Sequence, residues 1–305
     1  MISRMLMMAA ANAGGSPPPV VSRQAIFGYG SDDHLVSRTN LVSNTGVVAT
    51  DTTGVGTARY GLAASGYGGD KAIFGYGAGD YPNFSMTNLV SNSGVVSGDV
   101  TGVGTARVGL AAAGYGTDKA IFGYGYTSSP VSMTNLVSNV GVVSGDVTGV
   151  GTVRVYLAAA TYGSDKAIFG YGQNYSYFSM TNLVSNSGVV SGDVTGVGTA
   201  RGALAAAGYG TDKAIFGYGT TGSNVSMTNL VSNTGVVSAD TTGVGTARAA
   251  LAASSYGTDK AIFGFGYDFY HASMTNLVSN TGVVATDTTG VGTAKNGLAA
   301  ASFGG

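Results

Sequence analysis

The chain contains no cysteine, no tryptophan and, across all 305 residues, no glutamate. Without cysteine there are no disulfide staples, thiolate metal ligands or cysteine nucleophile. With glutamate missing, all 15 acidic residues are aspartate, and a strong helix former gives way to residues that favour turns. Charged residues make up 10% of the chain and sum to −1, which leaves no basic footprint for nucleic acid. No apolar run reaches the roughly 18 residues a membrane-spanning helix needs. What is plentiful is glycine, at 52 residues, together with threonine, valine and tyrosine. With 44% apolar residues the chain can still build a packed core, so strands joined by tight turns are expected.

The sequence repeats itself six times. An Ile-Phe-Gly core recurs at Ile26, Ile73, Ile121, Ile168, Ile215 and Ile262, at intervals of 47, 48, 47, 47 and 47 residues. The fifth copy divides into four β-like stretches, RGALAAAGYG, DKAIFGYG, SMTNLVSN and GVVSADTTG. About 12 residues per strand and turn fits a meander. The repeat region opens on a second stretch, QAIFGYG from Gln24, and closes on a first one, NGLAAASFGG. Pairing the C-terminal stretch with the N-terminal unit would leave no open edge. The expected fold is therefore all-β, a six-bladed β-propeller of four-stranded blades closed in that way, over residues 24–305.

The order T-A-R, LAAAGYGTDKAIFGYG, a variable loop and MTNLVSNTGVV resembles the kelch repeat. That family's blade runs from an Arg-led inner strand through an apolar strand ending in a glycine doublet, then a variable loop and a strand-turn-strand. The resemblance covers all six copies. Two departures mark it as divergent: the doublet here is Gly217-Tyr218-Gly219, and the family's usual tryptophan is missing. The copper-oxidase branch of such propellers uses a tyrosine-cysteine cofactor, which a chain without cysteine does not build, and no cofactor is expected. Near-identical copies of this composition also resemble repeats of phage virion proteins, implying a tail or fibre component at the surface of a virion or other extracellular particle.

In a four-stranded meander alternate joints emerge on opposite faces. The joints GYGTD and SNTG hardly vary between copies. The other two kinds do: the loops SDDHLVSR, AGDYPNF, YTSSPV, QNYSYF, TTGSNV and YDFYHA, and the pair after each TAR or TAK. Both variable sets should share one rim, and YDFYHA should meet SDDHLVSR across the closure. Candidate ligand-binding residues there are Asp32, Asp33, His34, Tyr60, Asp80, Tyr81, Phe84, Tyr126, Tyr156, Tyr175, Tyr177, Phe178, Tyr267, Asp268, Phe269, Tyr270 and His271. This mixture gives rigid aromatic area and adaptable hydrogen bonding. A surface glycan or receptor is the expected partner, and drift in unconstrained loops is the competing explanation.

Catalysis is not expected. The only two histidines, His34 and His271, lie in rim loops, where a metal or acid–base site would need them to converge with Asp32, Asp33 and Asp268. Asp51, Asp99, Asp146, Asp193, Asp240 and Asp287 recur at one blade position, and Arg59, Arg107, Arg154, Arg201, Arg248 and Lys295 at another. A group copied into every unit is structural. Residues 1–23 read as a separate arm: MISRMLMMAAANA has signal-like features, and GGSPPP supplies a hinge and a stiff spacer. This arm is expected to dock on other subunits of a larger assembly.

Overall fold

The computed structural model describes residues 22–304, so the expectations for residues 1–21 lie outside the described part. The described chain is all-β, with no helix. Six three-stranded antiparallel sheets follow one another, alike in register. In the third repeat the inner strand Ala111–Tyr115 pairs with the middle strand Lys119–Gly123, which pairs with Thr134–Val137. Alternation in the inner strand buries Ala111, Ala113 and Tyr115, while the middle strand is buried from Ala120 onward. A strand covered on both faces reads as an unbroken apolar run, as KAIFG does.

The last strand, Ala299–Phe303, pairs with the first, Gln24–Gly28, and completes the N-terminal sheet. The six inner strands then touch in a cycle, Ala299–Phe303 lying beside Ala63–Tyr67. The arrangement is propeller-like, each sheet remaining open and three-stranded. A fourth regular strand is not formed. The stretch after SNTG meets the third strand through two single bridges, Val42 with Val48 and Thr39 with Thr52. Between them the outer stretch carries one residue more than its partner, and that bulge interrupts the ladder. It lets Asp51 turn inward, where Asn40 Nδ2 donates to it at 2.8 Å.

Each junction between sheets is held by one buried polar unit. Arg107 is fully buried and lies over the Tyr76 ring of the preceding sheet, 4.3 Å from its centroid. Its guanidinium donates to Tyr124 O at 2.8 Å, Thr105 O at 3.0 Å and Asn135 Oδ1 at 2.6 Å. Asn135 Nδ2 in turn donates to Asp146 at 2.9 Å, and Thr105 clasps the same carboxylate through its N–H and hydroxyl. The recurring Arg and Asp are thus joined chiefly through Asn and Thr, with Arg107 Nη1 only 3.9 Å from Asp146. Burial pushes the Asp146 carboxyl up, but hydrogen bonds from Thr105 and Asn135 and the charge of Arg107 hold it below the ordinary carboxylate value. Tyr76 also packs on Phe122, with ring centroids 5.1 Å apart, and its hydroxyl donates to Val103 O.

The closing junction is built differently. Lys295 replaces arginine and Phe265 replaces tyrosine, with Nζ 5.1 Å from the ring centroid. Lys295 donates only to Asn40 Oδ1 at 3.0 Å and Arg38 O at 3.2 Å. Burial, with repulsion from Arg38, pulls its ammonium down to about 8 against the opposing charge of Asp51.

Candidate functional site

The middle strand of each repeat ends in Gly-Tyr-Gly or Gly-Phe-Gly, whose aromatic residue takes a left-handed φ of 62–65°. That turn sends the chain outward into the variable loop. The first loop residue then meets the first residue of the varying pair: Tyr60 with Ala78, Val108 with Tyr126, Val155 with Gln173, Gly202 with Thr220, Ala249 with Tyr267, and Asn296 with Ser31. The two varying sets are therefore hydrogen-bonded to each other on one face.

The second residue of each pair closes a circle. Gly109 N donates to Gly61 O, Tyr156 N to Gly109 O, Ala203 N to Tyr156 O, Ala250 N to Ala203 O, Gly297 N to Ala250 O and Gly61 N to Gly297 O, at 2.8–2.9 Å. This ring edges a cavity of about 470 Å³ on the axis. Its floor is six leucines, Leu62, Leu110, Leu157, Leu204, Leu251 and Leu298, each 5–6% exposed. Its wall carries Tyr60, Tyr156, Tyr177, Gln173, Thr220 and Asn296. Burial pushes the Tyr156 phenol up, reinforced by the neighbouring Tyr60 and Tyr126 phenols. An apolar floor with a few polar groups at its edge is the usual build of a small-ligand site.

Of the candidate residues, Tyr60, Tyr156 and Tyr177 line this mouth and Tyr126 stands beside Tyr156. The others are further out. Tyr81 and Tyr175 are fully exposed, and Phe269 and Tyr270 are 82% exposed. Tyr175 and Phe269 occupy the tips of two short hairpins, with Gln173 opposite Tyr177 and Tyr267 opposite His271. Asp80 is exposed, Phe84, Phe178 and Asp268 are half-buried, and Phe84 and Phe178 anchor their loops through main-chain bonds to Gly77 and Gly172.

Across the closure His271 Nε2 lies 3.2 Å from Asp33 Oδ1, so YDFYHA does meet SDDHLVSR. Asp32 is instead paired with Arg38 at 2.9 Å, and His34 is exposed. Among the described residues no three His or Asp side chains gather as a metal site would require. Sequence reasoning missed the leucine floor, and it placed Gln173, Thr220 and Asn296 among the varying positions without singling them out as ligand-binding residues. The signal for the floor was present, since a leucine follows every varying pair. No helix among the described residues is long and apolar enough to cross a membrane. Comparison with protein-family models and with curated proteins finds no match to this chain.

Proposed function

We propose that the chain is a six-bladed, kelch-like β-propeller that works by binding rather than catalysis, its bulged outer stretch serving as the fourth strand of each blade. The ligand is a cell-surface glycan or receptor, the setting the surface of a phage virion or similar extracellular particle. Residues 1–23 mount the ring on neighbouring subunits. One observation carries this reading: residues of the varying pairs, joined by Gln173, Tyr177 and Thr220 from the loops of the fourth and fifth repeats, line a single mouth with tyrosine walls over a leucine floor. Joints on the other face stay nearly constant. Tyrosine rings offer flat amphipathic area to the apolar face of a sugar, and Gln173, Thr220 and Asn296 offer partners for its hydroxyls.

Two further observations favour an anchor on one side and recognition on the other. Arg23, the last residue of the arm, bonds to Gly257 in a joint of the constant face. The exposed aromatics Tyr81, Tyr175, Phe269 and Tyr270 all stand on the varying face, giving a ligand larger than one ring further contact area.

Glycan-array binding by the full chain tests the proposal. Tyr60→Ala with Tyr156→Ala should weaken binding at least about tenfold if the mouth holds the ligand. Tyr267→Ala with Phe269→Ala and Tyr270→Ala should do so if the hairpin tip contributes. Both variants should melt like the parent. Binding that ignores both sets would sink the proposal. A native particle in which this rim is buried between subunits would make it an assembly surface instead.

A further inference from the structure

The face opposite the mouth carries a second axial cavity, in two parts of about 130 and 360 Å³ that share Arg23, Thr117, Thr161 and Ser164. Its joints are the nearly constant ones, so the variable-rim reading makes no use of it. Lysines that open the middle strands, Lys71, Lys119, Lys213 and Lys260, line its wall. Each pairs with the aspartate before it at 2.7–3.3 Å. Those aspartates, Asp259 excepted, do not line the cavity. Asp212 is instead engaged by Asn233, whose Nδ2 donates to it at 3.1 Å. Ammonium groups thus face the axis while most of their carboxylate partners stand outside.

The first repeat departs from this pattern in sign. Gln24 lies opposite Phe303 just as Lys71 lies opposite Tyr67. Arg23 therefore occupies the place that Asp70 holds in the next repeat. Two backbone bonds with Gly257, at 2.9 and 2.8 Å, fix it there. Arg23 lines both parts of the cavity, and its side chain has no carboxylate partner among the described residues. Around it Thr117, Ser164 and Thr211 stand at equivalent turn positions, with left-handed φ of 69–71°, and their hydroxyls have no partner among the described residues. The segment before Ser22 contains one charged side chain, Arg4, and no acid.

We propose that this cavity binds an oxyanion group (sulfate, phosphate or carboxylate) held by Arg23 and Lys213, with hydroxyl donors from Thr117, Ser164 and Thr211. A planar guanidinium suits the paired oxygens of such groups, and the lysines add point charges around it. The group is either a free tetrahedral anion or a carboxylate on a partner seated on this face.

Calorimetric titration of the full chain with sodium sulfate, against sodium chloride at equal ionic strength, is the test. Saturable sulfate binding is expected, weakened at least about tenfold by Arg23→Gln and measurably by Lys213→Gln. Neither variant should change the melting temperature in chloride, because both side chains are exposed. Competition by a hexa-aspartate peptide would assign a carboxylate source, and its failure would assign a free tetrahedral anion. Absence of saturable binding, or binding unchanged in both variants (an adventitious ion only), would overturn the proposal. Tyr60→Ala, on the other face, should leave sulfate binding intact, so this outcome is independent of the glycan proposal.

Discussion

Asn135 is where the third junction depends on a single side chain. Its carbonyl oxygen accepts from buried Arg107, and its amide donates to Ser144 O and Asp146. Leucine at that position would fill the space but leave a guanidinium Nη and a carboxylate oxygen each short of a partner. Breaking one side of a buried charged unit costs far more than an exposed ion pair is worth. Asn135→Leu should lower unfolding stability by about 3 kcal/mol in urea titration. Lys119→Gln, at an exposed pair, should stay within about 0.5 kcal/mol. Equal effects would show that Asn135 fills space rather than pairing. The recurrence of Arg and Asp was legible in the sequence. The mediating Asn was not, because in TNLV it reads as an ordinary strand residue until the outer stretch folds over it.

A two-stranded antiparallel ribbon is marginal in water, and the N-terminal sheet would be one without its partner from the other end of the chain. Ending the chain after Leu298 should strip hydrogen-exchange protection from Gln24–Gly28 and Thr39–Val42 while the third and fourth sheets keep theirs. A peptide spanning residues 296–305, added in trans, should restore it. Protection that survives truncation would mean that side-to-side packing, not strand pairing, holds the first sheet. This pairing was readable from the order of the stretches at the two ends. The broken fourth strand was not: alternation in GVVSADTTG is compatible with a strand, and the bulge exists only because Asp51 and its counterparts are drawn inward.

For the whole ring the closing junction is the place where pH acts. The Lys295 ammonium titrates near 8 when folded and near its ordinary 10.5 when unfolded. Below pH 8 both states are protonated, and the cost of burying the charge is fully present. Between about 8 and 10.5 the unfolded chain holds more protons, so folding stability rises with pH. Over pH 7.5 to 10 the rise should amount to about 2 kcal/mol and be missing from Lys295→Met, measured as the difference between the two urea-denaturation profiles. Parallel profiles would place the ammonium in water. Closure followed from the order of the stretches at the two ends, and the side on which variation gathers from counting joints. The depth of the mouth did not, because the leucines beneath it look like core until the ring is seen end on. The hydrogen-bonded circle at that mouth has a consequence for inheritance. Both N–H groups of every varying pair are already engaged, to a loop or to a neighbouring pair. A guest therefore finds no main-chain donor there, and its selection is written wholly in side chains. The first residue of a pair takes no left-handed φ, so its limits are those of space alone, as at buried Val108, Val155 and Ala249. The second must tolerate a φ of 51–64°, as Tyr156 does at 54°, so each repeat offers one letter bounded by space and one by backbone to an alphabet read around the axis.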